Sequence, residues 1–436
     1  MLHCLAQELN DTLKSTTAGE MLSDFGQRMY FPKGIISQSA EAKTLGKKAN
    51  GTIGMTLCQG VPVTLPCIQK QIPTLTPGEL VAYAPTAGDP ELRALWKEKI
   101  IQKNPSLAEK NFSLPVVVPG LTAGISYLCD LFLSKDDILL AAEPSWDNYV
   151  LIAESRREAQ FKQFNMFTGM GLDHSFNVAH FEKAVKENSA KGKLCILLNF
   201  PQNPSGYSPT EDEAKKICAT LKEVAESGCK IMVWCDDAYF GLDYEENIEK
   251  ESLFAKLVDL HENIFAAKID GPTKEDFVWG FRCGFITFGG KGLTQEHYDA
   301  LIKKLMGDIR SSVSCCSTPP QSILLKAFKE PSLEQEKLTY RKMLEKRYKK
   351  VRLFLESKRD DLVLQPMPFN SGYFMSLHCN GIDAELLRQK LLAEKGIGTI
   401  AIDSKTLRVA FSSIDEQLVD YVYTAIYETA HEMAKN

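Results

Sequence analysis

The side chains of this 436-residue chain best placed to do chemistry stand directly after short apolar runs. Lys274 closes Gly271-Pro272-Thr273-Lys274, and Arg282 follows eight residues later in Gly280-Phe281-Arg282-Cys283-Gly284. Asp236-Asp237-Ala238-Tyr239 and Pro201-Gln202-Asn203-Pro204-Ser205-Gly206 follow two earlier runs. Acidic groups in such a place need a cationic partner or solvent. Pro119-Gly120-Leu121-Thr122-Ala123-Gly124 is a small-residue turn ahead of an apolar helix, a form that cradles phosphate with backbone N–H groups. Trp146, within Glu143–Tyr149, can stack on a flat ligand. Taken singly, each has an ordinary explanation: a helix start, a core indole, a rigid turn, a solvated lysine.

The elements that must position these residues are legible as alternation. Apolar runs at Leu114–Val118, Ile138–Ala142, Ala159–Phe164, Leu194–Phe200, Lys230–Cys235, Ile264–Ile269 and Cys283–Phe288 read as buried strands. Several stretches between them read as helices, such as Glu211–Glu226, opened by Ser208, Pro209 and Thr210. Strands alternating with helices imply an α/β fold: a three-layer large domain with a mainly parallel seven-stranded sheet, covered on both faces. In such a sheet ligands sit beyond the carboxyl ends of the strands, where all these loops fall. The last third changes character. A long charged helix at Pro331–Lys358 precedes Tyr373–His378, Ala384–Glu394, Thr399–Ile402, Leu407–Phe411 and a final helix from Asp415. We expect a smaller α+β domain built from both chain ends. Residues 1–63 would pack with it, 64–319 would form the large domain and 320–436 the small one.

Together, in this order, the motifs resemble the fold-type I aminotransferases that use pyridoxal phosphate, the aspartate-aminotransferase-like class I/II superfamily. The resemblance runs from about Asn50 to Phe411 and is carried chiefly by Asn203-Pro204-Ser205-Gly206, Asp236-Asp237-Ala238-Tyr239 and the Lys274–Arg282 spacing. It implies pyridoxal 5′-phosphate as cofactor, with Lys274 as the Schiff-base lysine and proton shuttle and Lys268 as its rival. Asp236 would face the pyridine nitrogen, with Asp237 turned to the opposite side of the strand. Tyr239 and Asn203 would hydrogen-bond the phenolic oxygen, and Trp146 would cover the ring. Arg282 and the backbone of Leu121 and Thr122 would take the phosphate. Arg408, in Leu407-Arg408-Val409-Ala410-Phe411, matches the arginine for the substrate α-carboxylate. Asn203 and Trp146 also border the substrate, and Gly54 lies in the substrate-side loop. Tyr83 resembles a tyrosine that reaches the neighbouring subunit's phosphate, so the resemblance implies a homodimer with shared sites. It departs at Gly271, where a phosphate-binding hydroxyl is expected; Thr122, Thr273 or Lys268 would then compensate. Leu121 also replaces a smaller residue.

The implied reaction is ping-pong transfer of an amino group from an L-amino acid to a 2-oxo acid, 2-oxoglutarate by family habit. Other chemistry on the same scaffold, such as C–S β-elimination or a synthase step, shares fold and cofactor residues. A cofactor-sensing regulator would need a DNA-binding module, and the residues before Asn50 lack the basic, helical character of one. Arg310 falls in a region where dicarboxylate-specific relatives carry an arginine, at a poorly fitting spacing. Composition sets the remaining bounds. A net charge of -5, from 51 basic and 56 acidic residues, argues against a nucleic-acid partner. No apolar run has the length of a membrane span, and there is no metal-type cysteine spacing. Twelve scattered cysteines suit a cytoplasmic, reducing setting.

Overall fold

The computed structural model describes residues 2–13, 27–28, 35–52 and 54–435. Seven strands form the principal sheet: β1 (Val116–Val118), β2 (Ile138–Glu143), β3 (Gln160–Asn165), β4 (Lys193–Asn199), β5 (Lys230–Asp236), β6 (Ile264–Asp270) and β7 (Gly284–Gly290). Their spatial order is β1-β7-β6-β5-β4-β2-β3. The pairs β2–β3, β2–β4, β4–β5 and β5–β6 are parallel, whereas β7 runs antiparallel to both β6 and β1. The reason is the length of the link. A parallel return needs a crossover, usually a full helix, and residues 271–283 hold only two short turns. The inner strands β4 and β5 are buried residue after residue, as expected of strands covered on both faces.

The major helices are α1 (Ile35–Leu45), α2 (Pro90–Lys103), α3 (Leu121–Phe132), α4 (Val178–Asn188), α5 (Glu211–Glu226), α6 (Gln295–Ser312), α7 (Thr318–Ala327), α8 (Leu333–Glu356), α9 (Ala384–Lys390) and α10 (Val419–Ala434). Two apolar cores lie on the sheet. One gathers Trp96, Phe181, Ile217, Leu221 and Phe254 against β4–β6; the other gathers Leu128, Tyr298, Leu305 and Ile309. Helix α5 starts where the sequence places it: Thr210 and Glu213 exchange side-chain-to-backbone bonds in a capping box.

A second sheet, β8 (Leu364–Pro366), β9 (Phe374–Cys379), β10 (Ile400–Asp403) and β11 (Thr406–Ala410), has the order β8-β9-β11-β10 and is antiparallel throughout. Its core includes Tyr348, Val351 and Leu355 of α8 and Val422, Tyr423 and Ile426 of α10. The early chain joins this sheet's neighbourhood: Ala49–Asn50 pairs parallel with Ile397–Gly398, and the Gln38 amide donates to the Ala401 carbonyl at 2.9 Å. Residues Val63, Leu65 and Ile68, just beyond, pack into the large core. Among the described residues, no helix is long and apolar enough to cross a membrane.

Candidate active site

The carboxyl ends of β1, β2, β4, β5 and β6 converge on one pocket, walled by Leu121, Thr122, Trp146, Tyr149, Asn203, Asp236, Tyr239 and Lys274, with Ile125, Asn199 and Ala238 between them. Counting the solvent at its open mouth, it holds about 370 Å³. Each strand delivers its residue as the chain leaves the sheet, which is why side chains far apart in sequence meet here.

Asp236, the last residue of β5, is 3% exposed. Burial raises its carboxyl to about 6, against the opposing pull of the Tyr149 hydroxyl, which donates to Oδ2, and of the Lys274 cation. The Ala238 amide donates to Oδ1 at 3.2 Å. Asp237 points away. It takes the buried Lys268 amine and, at 2.6 Å, the Ser252 hydroxyl, while Lys268 also lies 3.1 Å from Asp270. Burial opposes the Lys268 charge, but the two carboxylates hold its amine protonated well above the ordinary lysine value. Lys268 is therefore neither a free nucleophile nor a spare phosphate ligand.

Lys274 sits in the single helical turn Pro272–Glu275 after β6. Its amine lies 5.0 Å from the centre of the Tyr239 ring. Burial lowers its pKa to about 8; Asp236 works against that shift and Arg282 adds to it. An amine so placed is neutral in appreciable proportion near neutral pH, as a nucleophile requires. The Tyr373 hydroxyl holds the Lys274 carbonyl at 2.7 Å. Thr273 is buried, its carbonyl accepting from the Val278 amide, and is not on the pocket wall.

Arg282 adopts a left-handed backbone with φ 50°, and Nη1 donates to the Trp279 carbonyl at 3.1 Å. This turns the guanidinium to the start of α3, where a Cβ on Gly120 would stand 2.4 Å from Nη2. Gly120 itself has φ +88°, a backbone conformation that calls for glycine, and a side chain there would also push the guanidinium away. The result is a cradle of α3 N–H groups and a guanidinium, suited to an anion.

Arg408 of β11 is 2% exposed. It donates to Asn203 Oδ1 at 2.9 Å and to the Thr52 carbonyl at 3.1 Å, and its guanidinium carbon lies 4.3 Å from the centre of the Phe374 ring. Burial lowers its pKa to about 10, opposed by Tyr239 and Asp147. Among the described residues its buried Nε has no partner, an orphan that an incoming carboxylate can help to satisfy. The Asn203 loop is pinned against β9 at Gly206, φ +79°, where any Cβ would strike the Phe374 carbonyl. Gly54 packs here too: a Cβ would lie 3.0 Å from the Phe374 ring and 3.7 Å from the Tyr239 hydroxyl.

Of the other sequence candidates, Thr273, Arg282, Arg408 and Gly54 stand behind or beside the pocket wall, and two lie on the surface. Tyr83 is 92% exposed, and Arg310 is exposed on α6 with its guanidinium on the Ser314 hydroxyl. Conversely, Tyr149 and Asn199 belong to the site and were not singled out from sequence. Asn199 donates to the Asp236 carbonyl at 2.7 Å and accepts from the Asn203 amide at 2.8 Å, coupling the two loops. The available signal for Tyr149 was its position three residues after Trp146 in a post-strand turn.

Residues 52–426 match the family described as Aminotransferase class I and II. This chain belongs to that family. Its members are pyridoxal-phosphate-dependent aminotransferases, and the residues present fit the cofactor: a buried carboxylate and a lysine of lowered pKa share one pocket, and the anion cradle at Gly120–Arg282 adjoins its wall at Leu121 and Thr122. The chain is 26% identical over 307 residues to a probable aspartate/prephenate aminotransferase of Aquifex aeolicus, covering 69% of this chain and 70% of that one. It is 24% identical over 251 residues to a probable N-acetyl-LL-diaminopimelate aminotransferase of Bacillus subtilis, covering 57% and 56%. Among solved structures, an aminotransferase from Anaerococcus prevotii superposes with a TM-score of 0.82 at 22% identity, over 95% of this chain and 99% of that one. Pyrococcus horikoshii kynurenine aminotransferase, solved in complex with PMP, superposes at 0.78 with 18% identity, covering 95% and 98%. These likenesses establish the aminotransferase fold.

Proposed function

We propose that this aminotransferase moves the amino group of an L-amino acid to a 2-oxo acid, 2-oxoglutarate being the acceptor, in two half-reactions of a ping-pong cycle. The observation that carries the reading is the placement of Lys274 and Asp236 on one pocket, each shifted by burial toward its neutral form. Pyridoxal phosphate, when bound, supplies the aldehyde that takes up nitrogen and a ring that accepts the electron pair released at the substrate Cα. The rest is the work of this chain. Lys274 holds the cofactor through Nζ and, once free, carries the Cα proton. Asp236, steadied by Tyr149, keeps a proton on the ring nitrogen. Asn203 and Tyr239 bind the phenolic oxygen, Trp146 covers the ring, and Arg282 with the amides of Leu121 and Thr122 takes the phosphate. Arg408 grips the α-carboxylate of donor and acceptor alike, beside Asn203, Trp146 and Gly54.

The same reading makes residues 64–319 the large domain and 320–436 the small one, the latter packed with 1–63. It also has the enzyme work in the cytoplasm as a homodimer, Tyr83 of one subunit reaching the other's phosphate. The exposed stretch Ile72, Leu80, Val81 and Tyr83 supports burial against a second copy. The test is a panel of the twenty amino acids against 2-oxoglutarate, with borohydride reduction and peptide mapping of the resting enzyme. We expect glutamate to form and the cofactor to map to Lys274. Release of ammonia or thiol without glutamate would replace the transferase reading by a lyase; label on another lysine would overturn the site.

A further inference from the structure

The turn that carries Lys274 is four residues long, Pro272–Glu275, too short to hold its own shape. Something else must fix the amine, and the next side chain is well connected. The Glu275 carboxylate accepts from Lys103, the last residue of α2, and at 3.0 Å from Lys337 of α8. Lys337 is itself 3.1 Å from Asp276. A Cβ on Gly241 would stand 3.1 Å from the Glu275 carboxylate, so the backbone there passes close beside the group. Two acids thus meet two lysines in a largely buried cluster, none of which touches the pocket. The lysines come from different elements. Helix α8 continues from Lys337 to Tyr348, Val351 and Leu355 in the core of the small sheet, which also carries Arg408. Tyr373, at the entry to β9 of that sheet, holds the Lys274 carbonyl from the other side.

We propose that Glu275 is a positioning residue for Lys274: its pairs with Lys103 and Lys337 lock the turn in register with α2 and α8, and so set where the lysine amine stands in the pocket. This rests on the reading that Lys274 holds the cofactor. The amine's protonation depends on place, because Asp236, Arg282 and the Tyr239 ring surround it. A shift of about 1 Å in a charge separation of 4–5 Å moves a pKa by roughly half a unit. A residue that supported the fold alone would alter melting and leave that midpoint in place.

The experiment uses the holoenzyme and reads the pH midpoint of the bound cofactor's visible absorbance, beside melting temperature and the single-turnover rate with a donor amino acid. Glu275→Gln should move the midpoint by half a unit or more and slow the half-reaction at least ten-fold; Glu275→Asp should restore part of both. Lys103→Met, at the more exposed end of the cluster, should shift the midpoint in a folded protein even where Glu275→Gln fails to fold. The double variant Glu275→Gln/Lys103→Met should be no worse than Glu275→Gln, as coupling through one contact demands. A lowered melting temperature with midpoint and rate within two-fold of the parent overturns the proposal, as does strict additivity. Borohydride mapping separates the two failures: label on Lys274 with an unmoved midpoint sinks the clamp alone, whereas label elsewhere sinks the functional reading.

Discussion

Replacing Tyr149 by phenylalanine removes one oxygen from a site where both partners are almost wholly enclosed, Tyr149 at 2% and Asp236 at 3% exposure. The lost bond is a hydroxyl donating to a carboxylate. Bonds to charged groups contribute about 1.5–3 kcal/mol, and a pKa unit corresponds to about 1.4 kcal/mol. The bond lowers the Asp236 pKa, so its loss should raise the carboxyl from about 6 by roughly one to two units. At pH 7 the group would pass from about nine-tenths ionised to between half and one-tenth. The remaining Ala238 amide, at 3.2 Å, supports the other oxygen in parent and variant alike. The direct assay is a ¹³C-carboxyl titration of Asp236 in apoenzyme. Alongside it, pyridoxal phosphate affinity is measured from about pH 5.5 to 9, a range of roughly 3.5 units that brackets the carboxyl in parent and variant. The acid limb of affinity should move upward with the carboxyl, and the two proteins should converge at the alkaline end. A folded Tyr149→Phe protein whose Asp236 titrates within about 0.3 unit of the parent would refute the argument. Asp236 would then owe its state to burial, Lys274 and the Ala238 amide, without Tyr149.

Arg408→Ala should depress kcat/KM for every donor and acceptor alike, by about thirty-fold or more, since truncating a buried charge partner costs about 2–5 kcal/mol; a loss confined to acidic substrates would make Arg408 a side-chain selector, as a steady-state panel can show. For the shared site, inactive Tyr83→Ala and inactive Lys274→Ala subunits are mixed under exchange conditions. One site of each heterodimer then carries neither lesion, so activity should partly return; proven exchange without recovery, or an active monomer by sedimentation, contradicts the dimer.

Much of the fold is present in one dimension. Seven runs bounded by turn residues became the seven strands of the large sheet; the inner ones are apolar because both their faces are covered, whereas the edge strand β3 stays partly exposed. The antiparallel course of β7 was not read, although the short link at 271–283 contains the reason. Residue types after strand ends marked Lys274, Asp236, Asn203, Tyr239 and Trp146, all of which line one pocket. Sequence could say that neighbours on a strand diverge, and Asp236 and Asp237 do. It could not say which partners each would find. That Lys268 is consumed by Asp237, that Tyr149 reaches Asp236, and that Lys103 and Lys337 meet at Glu275 depends on contacts between residues far apart in sequence, from 31 to 172 positions. Local pattern reports which face of an element is buried. The identity of a buried charge's partner, and with it the state of every ionisable group in the pocket, is decided only when separate elements close around it.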